Sequence, residues 1–137
     1  MAHCISILKP KRIRRKFFVL LCMGAFMTAC QQPERNCQDF KHGKFRFTAL
    51  VNGEEQTTIF IRQDTLEVDF YNNKADSSRI RWINDCEYIV KKLNPRNRAE
   101  EKSVHIKILT TTDSSYTFEY NLVGASKKSK GTAIKTH

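Results

Sequence analysis

From Lys44 onward the chain alternates apolar and polar residues with a period of two, and this restricts its folds more than any other feature. Phe45, Phe47, Ala49 and Val51 alternate with Arg46, Thr48 and Leu50 before Asn52-Gly53, a pair suited to the positive φ angles of a tight hairpin turn. A second run sets Thr57, Ile59 and Ile61 against Thr58, Phe60 and Arg62. A third, after Gln63-Asp64, sets Leu66, Val68 and Phe70 against Glu67, Asp69 and Tyr71. In that third run the apolar set is expected inward and the carboxylates outward, since successive strand residues point to opposite faces.

Residues 72–78 read as a loop by composition, followed by a strand with Ile80 and Trp82 opposite Arg79 and Arg81. Asn84-Asp85 is a turn signal, and residues 86–93 return with Tyr88 and Val90 opposite Glu87, Ile89 and Lys91. Residues 94–102 are the one place suited to a helical turn, because Ala, Glu and Lys follow a proline. Val104, Ile106 and Ile108, then Tyr116, Phe118, Tyr120 and Leu122, resume the alternation. Residues 124–130 form a basic loop, and a last short strand spans 131–136. About eight strands with short connections predict an all-β chain, an antiparallel up-and-down meander closed into a small or flattened barrel, with a β-sandwich as the alternative.

The N-terminus constrains location instead. Residues 9–16 carry the six basic residues Lys9, Lys11, Arg12, Arg14, Arg15 and Lys16, and residues 17–30 are apolar. That run falls short of the roughly 20 residues a spanning helix needs and has the layout of a secretory signal peptide. Its end, Met27-Thr28-Ala29-Cys30, resembles a bacterial lipobox with Met27 where leucine is usual, which implies cleavage before Cys30 and acylation of that cysteine. The expected organisation is a signal peptide over 1–29, a lipidated tether over 30–39 and a β domain over 40–137. Gln31 is not the aspartate that resembles an inner-membrane retention signal, and only Glu34 stands where a surface-export signal is acid-rich. The expected location is therefore the outer membrane, facing the periplasm.

The formal charge of +10 would suggest a nucleic-acid partner, but six of the 24 basic residues leave with the signal. Eighteen then face 14 acids, a net +4 that is ordinary for a small soluble domain, so no nucleic acid is expected and a monomer is. Of the 5 cysteines, Cys4 and Cys22 lie in the signal and Cys30 takes lipid. Cys37 and Cys86 are left as a disulfide pair in an oxidising compartment, the alternative being two separate thiols. No metal or cofactor is expected, because zinc-type spacing of Cys and His does not occur.

Cys30, then Asn36-Cys37 with Phe40-Lys41, Gly43 and Phe45, then Arg81-Trp82-Ile83-Asn84-Asp85-Cys86-Glu87-Tyr88, resemble a family of small Bacteroidetes lipoproteins with lipocalin-like β folds. The resemblance extends through Lys91-Lys92-Leu93-Asn94-Pro95 and Thr117-Phe118-Glu119-Tyr120. It implies a lipocalin-like barrel and names no activity. Some members go under the label DNA topoisomerase IV, which these residues do not fit. Tyr71, Tyr88, Tyr116 and Tyr120 follow Phe70, Glu87, Ser115 and Glu119, so none has the arginine neighbour of a topoisomerase nucleophile. The 5 glycines form no phosphate-binding loop.

Four residue sets are candidate sites. Phe45, Phe47, Phe70, Trp82, Tyr88, Tyr116, Phe118 and Tyr120 would line a cup for an apolar ligand or fill the core, and a filled core is the preferred expectation for a domain this small. Lys91, Lys92, Arg96 and Arg98, with Lys127, Lys128 and Lys130, would contact anionic lipid or simply be solvated. Glu67 with Asp69, or Asp85 with Glu87, would hold a cation if they were not a solvated strand face, which is the expectation here. His42 and His105 lack a nucleophile context. The expected function is a non-enzymatic, lipid-anchored binding or accessory module with an envelope-protein partner. A lipocalin-like carrier of a small hydrophobic ligand is the alternative, and a small envelope enzyme is a third.

Overall fold

The structure, a computed structural model, describes residues 34–137; the expected signal peptide, Cys30 and residues 31–33 lie outside the described residues. Eight strands follow one another: β1 (His42–Val51), β2 (Glu54–Gln63), β3 (Leu66–Tyr71), β4 (Lys74–Asn84), β5 (Glu87–Lys92), β6 (Val104–Thr111), β7 (Ser115–Leu122) and β8 (Ser129–Thr136). Each pairs antiparallel with its sequence neighbour, and β1 pairs with β8, so the meander closes into a barrel. Closure excludes the sandwich: among the described residues there is one continuous sheet and no edge strand.

The turns follow the local chemistry. Asn52 (φ 54°) and Gly53 (φ 84°) make the β1–β2 hairpin as read from the sequence. Asn72 (φ 46°) and Asn73 (φ 58°) make an equally tight turn between β3 and β4, where a loop over 72–78 was expected. Asparagine tolerates the left-handed region, so β4 begins already at Lys74. Residues 94–102 form isolated turns and no helix. Glu100 and Glu101 each donate an N–H to the Asn97 carbonyl, and the Asn97 side chain caps Glu100 at 3.0 Å.

The two ends of the barrel differ. At one end lie the β2–β3, β4–β5 and β6–β7 turns, and this end is plugged. Residues 35–39, expected as the outer part of the tether, pack there. A 3₁₀ turn at Gln38–Phe40 drives Phe40 into the core beside Phe45 and Tyr116. Arg35 donates to the Ile108 carbonyl at 2.7 Å, Asn36 N–H to Thr111 at 3.0 Å, and Lys135 to the Asp39 carbonyl at 2.7 Å. The Cys37–Cys86 disulfide, with Cα atoms 5.3 Å apart, staples this plug to the β4–β5 turn. The opposite end carries the longer β5–β6 and β7–β8 connections and is open.

The core is concentrated at the plugged end, where Phe40, Phe45, Ile80, Tyr88, Ile108, Tyr116 and Ala133 are buried. Gly131 on β8 serves the packing above this core: a Cβ there would collide with the Phe47 ring, so the absence of a side chain is what seats that ring against the wall.

Candidate functional site: a cup above a buried arginine

At the centre of the barrel stands a charge. Arg62, on the inner face of β2, is 1% exposed. Its guanidinium lies over Tyr88 (4.6 Å), Phe45 and Phe60 (5.3 Å each), Tyr116 (5.8 Å) and Trp82 (5.9 Å). Each of its three nitrogens has a partner. Nε and Nη2 both reach Glu67 Oε2 at 2.7 Å, Nη1 reaches the Phe40 carbonyl at 3.0 Å, and Nη2 reaches the Tyr88 and Tyr116 hydroxyls at 2.7 and 3.2 Å. Burial works against the charge, but Tyr88, Tyr116 and Glu67 outweigh it and hold the Arg62 pKa well above its ordinary value. Burial likewise raises the Tyr88 and Tyr116 hydroxyls, which stay neutral. Among the described residues no buried side-chain nitrogen or oxygen lacks a partner.

Glu67 reaches Arg62 because β3 is turned opposite to expectation. Glu67, Asp69 and Tyr71 face inward, whereas Leu66, Val68 and Phe70 face out. Glu67 and Asp69 are thus not a solvated face, and Phe70, expected to line the cup, is an exterior side chain 43% exposed. The physical reason lies on the neighbouring strand. Arg62 stands directly opposite Glu67, and a buried guanidinium needs its counter-charge on the same face. With the side-chain period fixed at two, pairing Glu67 inward carries Asp69 in and Phe70 out.

Above this floor the barrel is not filled. A cavity of about 380 Å³ opens toward the unplugged end, within the size range of small-molecule sites. One wall is aromatic, built of Phe47, Phe60, Phe118 and Tyr120, with Phe47 and Phe118 centroids 5.3 Å apart. The aliphatic Val104 and Ile106 adjoin it. The other wall is polar, with Asp69, Tyr71, Asp76 and Lys92. The preferred expectation of a filled interior therefore holds for the plugged half only.

Of the eight aromatic residues singled out in the sequence, Phe47, Tyr88, Tyr116, Phe118 and Tyr120 line the cavity. Phe45 is buried beneath it. Trp82 lies at the plugged end, donating to the Asp64 carbonyl at 2.8 Å with Lys41 4.9 Å over its ring. The sequence reading missed Arg62, Asp76 and the inward direction of Glu67 and Asp69; the one available signal was an arginine ending the Thr58, Phe60, Arg62 face.

The basic residues are dispersed around the open end. Lys92 points inward to Asp76 (3.2 Å) and Glu100 (3.3 Å), Arg96 pairs with Asp76 (2.7 Å), and Lys128 pairs with Glu119 (2.7 Å). Lys91, Arg98, Lys127 and Lys130 are exposed. Lys91 stands opposite Arg79 on the outer surface, in a second pocket of about 360 Å³ that also contains Arg81. Asp85 pairs with Lys41 at 2.9 Å and Glu87 with Lys107 at 3.1 Å, so this carboxylate pair does not converge on one point. His105 lies 3.7 Å from Glu87, and His42 is exposed at the start of β1. No group of three or more potential metal ligands occurs among the described residues.

Among the described residues Asp69 is the cavity carboxylate left without an ionic partner, since Glu67 is tied to Arg62 and Asp76 to Lys92 and Arg96. Burial, reinforced by the Glu67 charge, pushes its carboxyl up to about 7. The folded state thus keeps a proton that the unfolded chain loses near pH 4, and stability from this group falls as pH rises between about 4 and 7, then levels off. Asp69→Asn is expected to remove this dependence, and to add about 2 kcal/mol relative to wild type at pH 7.5 but little at pH 5. Urea unfolding at both pH values checks it; equal shifts at the two would contradict the assignment.

The arrangement defines a class by geometry: a closed eight-stranded antiparallel barrel, plugged at one end by its own N-terminal segment and cupped at the other. No protein-family model, curated protein or solved structure matches the chain.

Proposed function

We propose that the protein is a lipid-anchored carrier or sensor of a small molecule, held at Cys30 on the periplasmic side of an outer membrane, with the cup as its binding site. The observation that carries this reading is the cavity itself. A barrel this small could have filled its interior, as its plugged half does; instead the upper half keeps about 380 Å³ clear between an aromatic and a polar wall. Binding is favoured over catalysis because Arg62, Glu67, Tyr88 and Tyr116 satisfy one another and form a rigid floor. The described chain begins at the plugged end, so the mouth of the cup and the basic residues around it lie at the end of the barrel away from Glu34. Lys92, Arg96 and Lys128 are held in ion pairs, which favours pairing over lipid contact for these three.

The test is a neutral aromatic probe, N-phenyl-1-naphthylamine, titrated into the full chain carrying Cys30→Ser. Saturable one-to-one binding is expected, and Thr58→Trp, which places a large ring in the cavity, should abolish it with an unchanged circular dichroism spectrum. Absence of wild-type binding would overturn the reading. The anchor is tested separately by cell fractionation. Wild type should partition with membranes, because several acyl chains hold a protein where one binds only marginally, and Cys30→Ser should not. Wild-type protein found wholly soluble would refute the anchor.

A second reading, an accessory module for an envelope protein, has its own observation. The outward turn of β3 leaves Ile61, Leu66 and Phe70 at 37%, 38% and 43% exposure, next to Ile59 and Val68 on one continuous outer surface. Phe70→Asp would disturb such a partner and leave probe binding intact.

A further inference from the structure

Resting on the cup as a binding site, we propose that its ligand is an organic cation, a protonated amine attached to a flat apolar body, with Asp69 as the counter-charge. The cavity contains two cations and three carboxylates. Arg62 is matched by Glu67, and Lys92 by Asp76, leaving Asp69 with neither ion pair nor hydrogen bond among the described residues. Because no fully buried polar atom in these residues is unpartnered, the Asp69 oxygens face the open space of the cup. A carboxylate so placed, between Phe60 on β2 and Asp76 on β4, lacks full hydration and is relieved either by a proton or by a cation entering the cup. The opposite wall suits the same ligand, since the faces of Phe47, Phe118 and Tyr120 attract positive charge as well as apolar surface. A fatty-acid-like anion would meet the unmatched Asp69 carboxylate with both cavity cations already paired, and a neutral ligand would leave Asp69 as it was.

The charged and titratable groups facing Asp69 are Arg62 on β2, Glu67 on β3, Asp76 on β4, Tyr88 and Lys92 on β5, and Tyr116 and Tyr120 on β7. Tyr88 and Tyr116 are held neutral by burial, and Arg96 and Lys92 keep the Asp76 carboxyl below its ordinary value, so Asp69 is the member of this set that changes charge near neutrality. Amine binding requires it ionised. Affinity should therefore fall about tenfold per pH unit below about 7 and be flat above it.

Calorimetry with three indoles of one shape tests the claim: tryptamine, a cation across this range, indole-3-propionate, an anion, and 3-methylindole, which is neutral. The full chain carrying Cys30→Ser is titrated at pH 5.5, 7 and 8. Tryptamine is expected to bind at least tenfold more tightly than the other two at pH 8 and to weaken with acid. Asp69→Asn should erase its advantage and keep the binding of 3-methylindole, which also shows that the variant is folded. If 3-methylindole binds as well as tryptamine, or if Asp69→Asn keeps the preference, the cation assignment is overturned and the cup survives. Tightest binding by indole-3-propionate assigns the opposite charge. If none of the three binds at millimolar concentration, both this inference and the binding role of the cup fall.

Discussion

Arg62→Ala should destabilise the barrel by about 3–5 kcal/mol, the largest effect expected of any single substitution here. The change leaves Glu67, 6% exposed, as a buried charge without a partner, and removes the donors that satisfy the Phe40 carbonyl and the Tyr88 and Tyr116 hydroxyls. It also hollows the centre of a cage of five rings. Since domains commonly have only 5–15 kcal/mol of stability, much of the total is at stake. Arg62→Met with Glu67→Leu should recover most of the loss, because an ion pair replaced by apolar side chains of similar volume is often neutral or stabilising. Chemical denaturation followed by circular dichroism measures both. A single-mutant loss below about 1 kcal/mol would mean that water reaches Glu67, contrary to the geometry described.

Reduction of Cys37–Cys86 should cost up to about 4 kcal/mol, the value for a closed loop of the observed 49-residue separation when the disulfide acts mainly on the unfolded chain. The effect should also be localised. The staple holds the segment that delivers Phe40, whose carbonyl accepts from Arg62 and whose ring packs on Tyr116. Hydrogen exchange should therefore quicken first at residues 36–41 and in the floor around Arg62, before β6 and β7 respond. Unfolding with and without dithiothreitol, and the Cys37→Ser, Cys86→Ser double variant, give the magnitude. Uniform loss of protection across all eight strands would show that the plug and the barrel are a single cooperative unit.

Strand positions were legible in the sequence wherever the interior is apolar. Phe45 with Phe47, Ile80 with Trp82, Tyr88 with Val90, and Tyr116 with Phe118 and Tyr120 were each grouped on one face by alternation, and in each case that face is the inner one; Asn52-Gly53 marked its hairpin. The disulfide followed from counting cysteines on either side of the expected cleavage point. The signal failed on β3, where alternation is strongest, because it gives the two faces of a strand but not which of them is inside. Where the interior contains a buried guanidinium and an open cavity, Glu67, Asp69 and Tyr71 are the inward set and Leu66, Val68 and Phe70 are left to the surface. The start of β4 was hidden for the same reason, since its first inward residues are Asp76 and Ser78. The cup escaped notice because its polar wall is built from the residues that a hydrophobic pattern assigns to solvent.

The pairing of β1 with β8 also bears on how the protein comes to exist. Lys44 meets Thr136 across a separation of 92 residues, and Lys135 reaches back to Asp39 in the plug. These contacts join nearly the first described residue to nearly the last, so they close the largest loop the domain offers and form late, after the local hairpins. A chain emerging N-terminus first presents its plug segment before any floor exists to receive it, and Cys37 must wait at least for Cys86 to emerge. The barrel thus closes only once its last strand is present: shortening β8 by a few residues should leave seven strands with two open edges, a species prone to pair with its own copies instead of a slightly weaker version of the native fold.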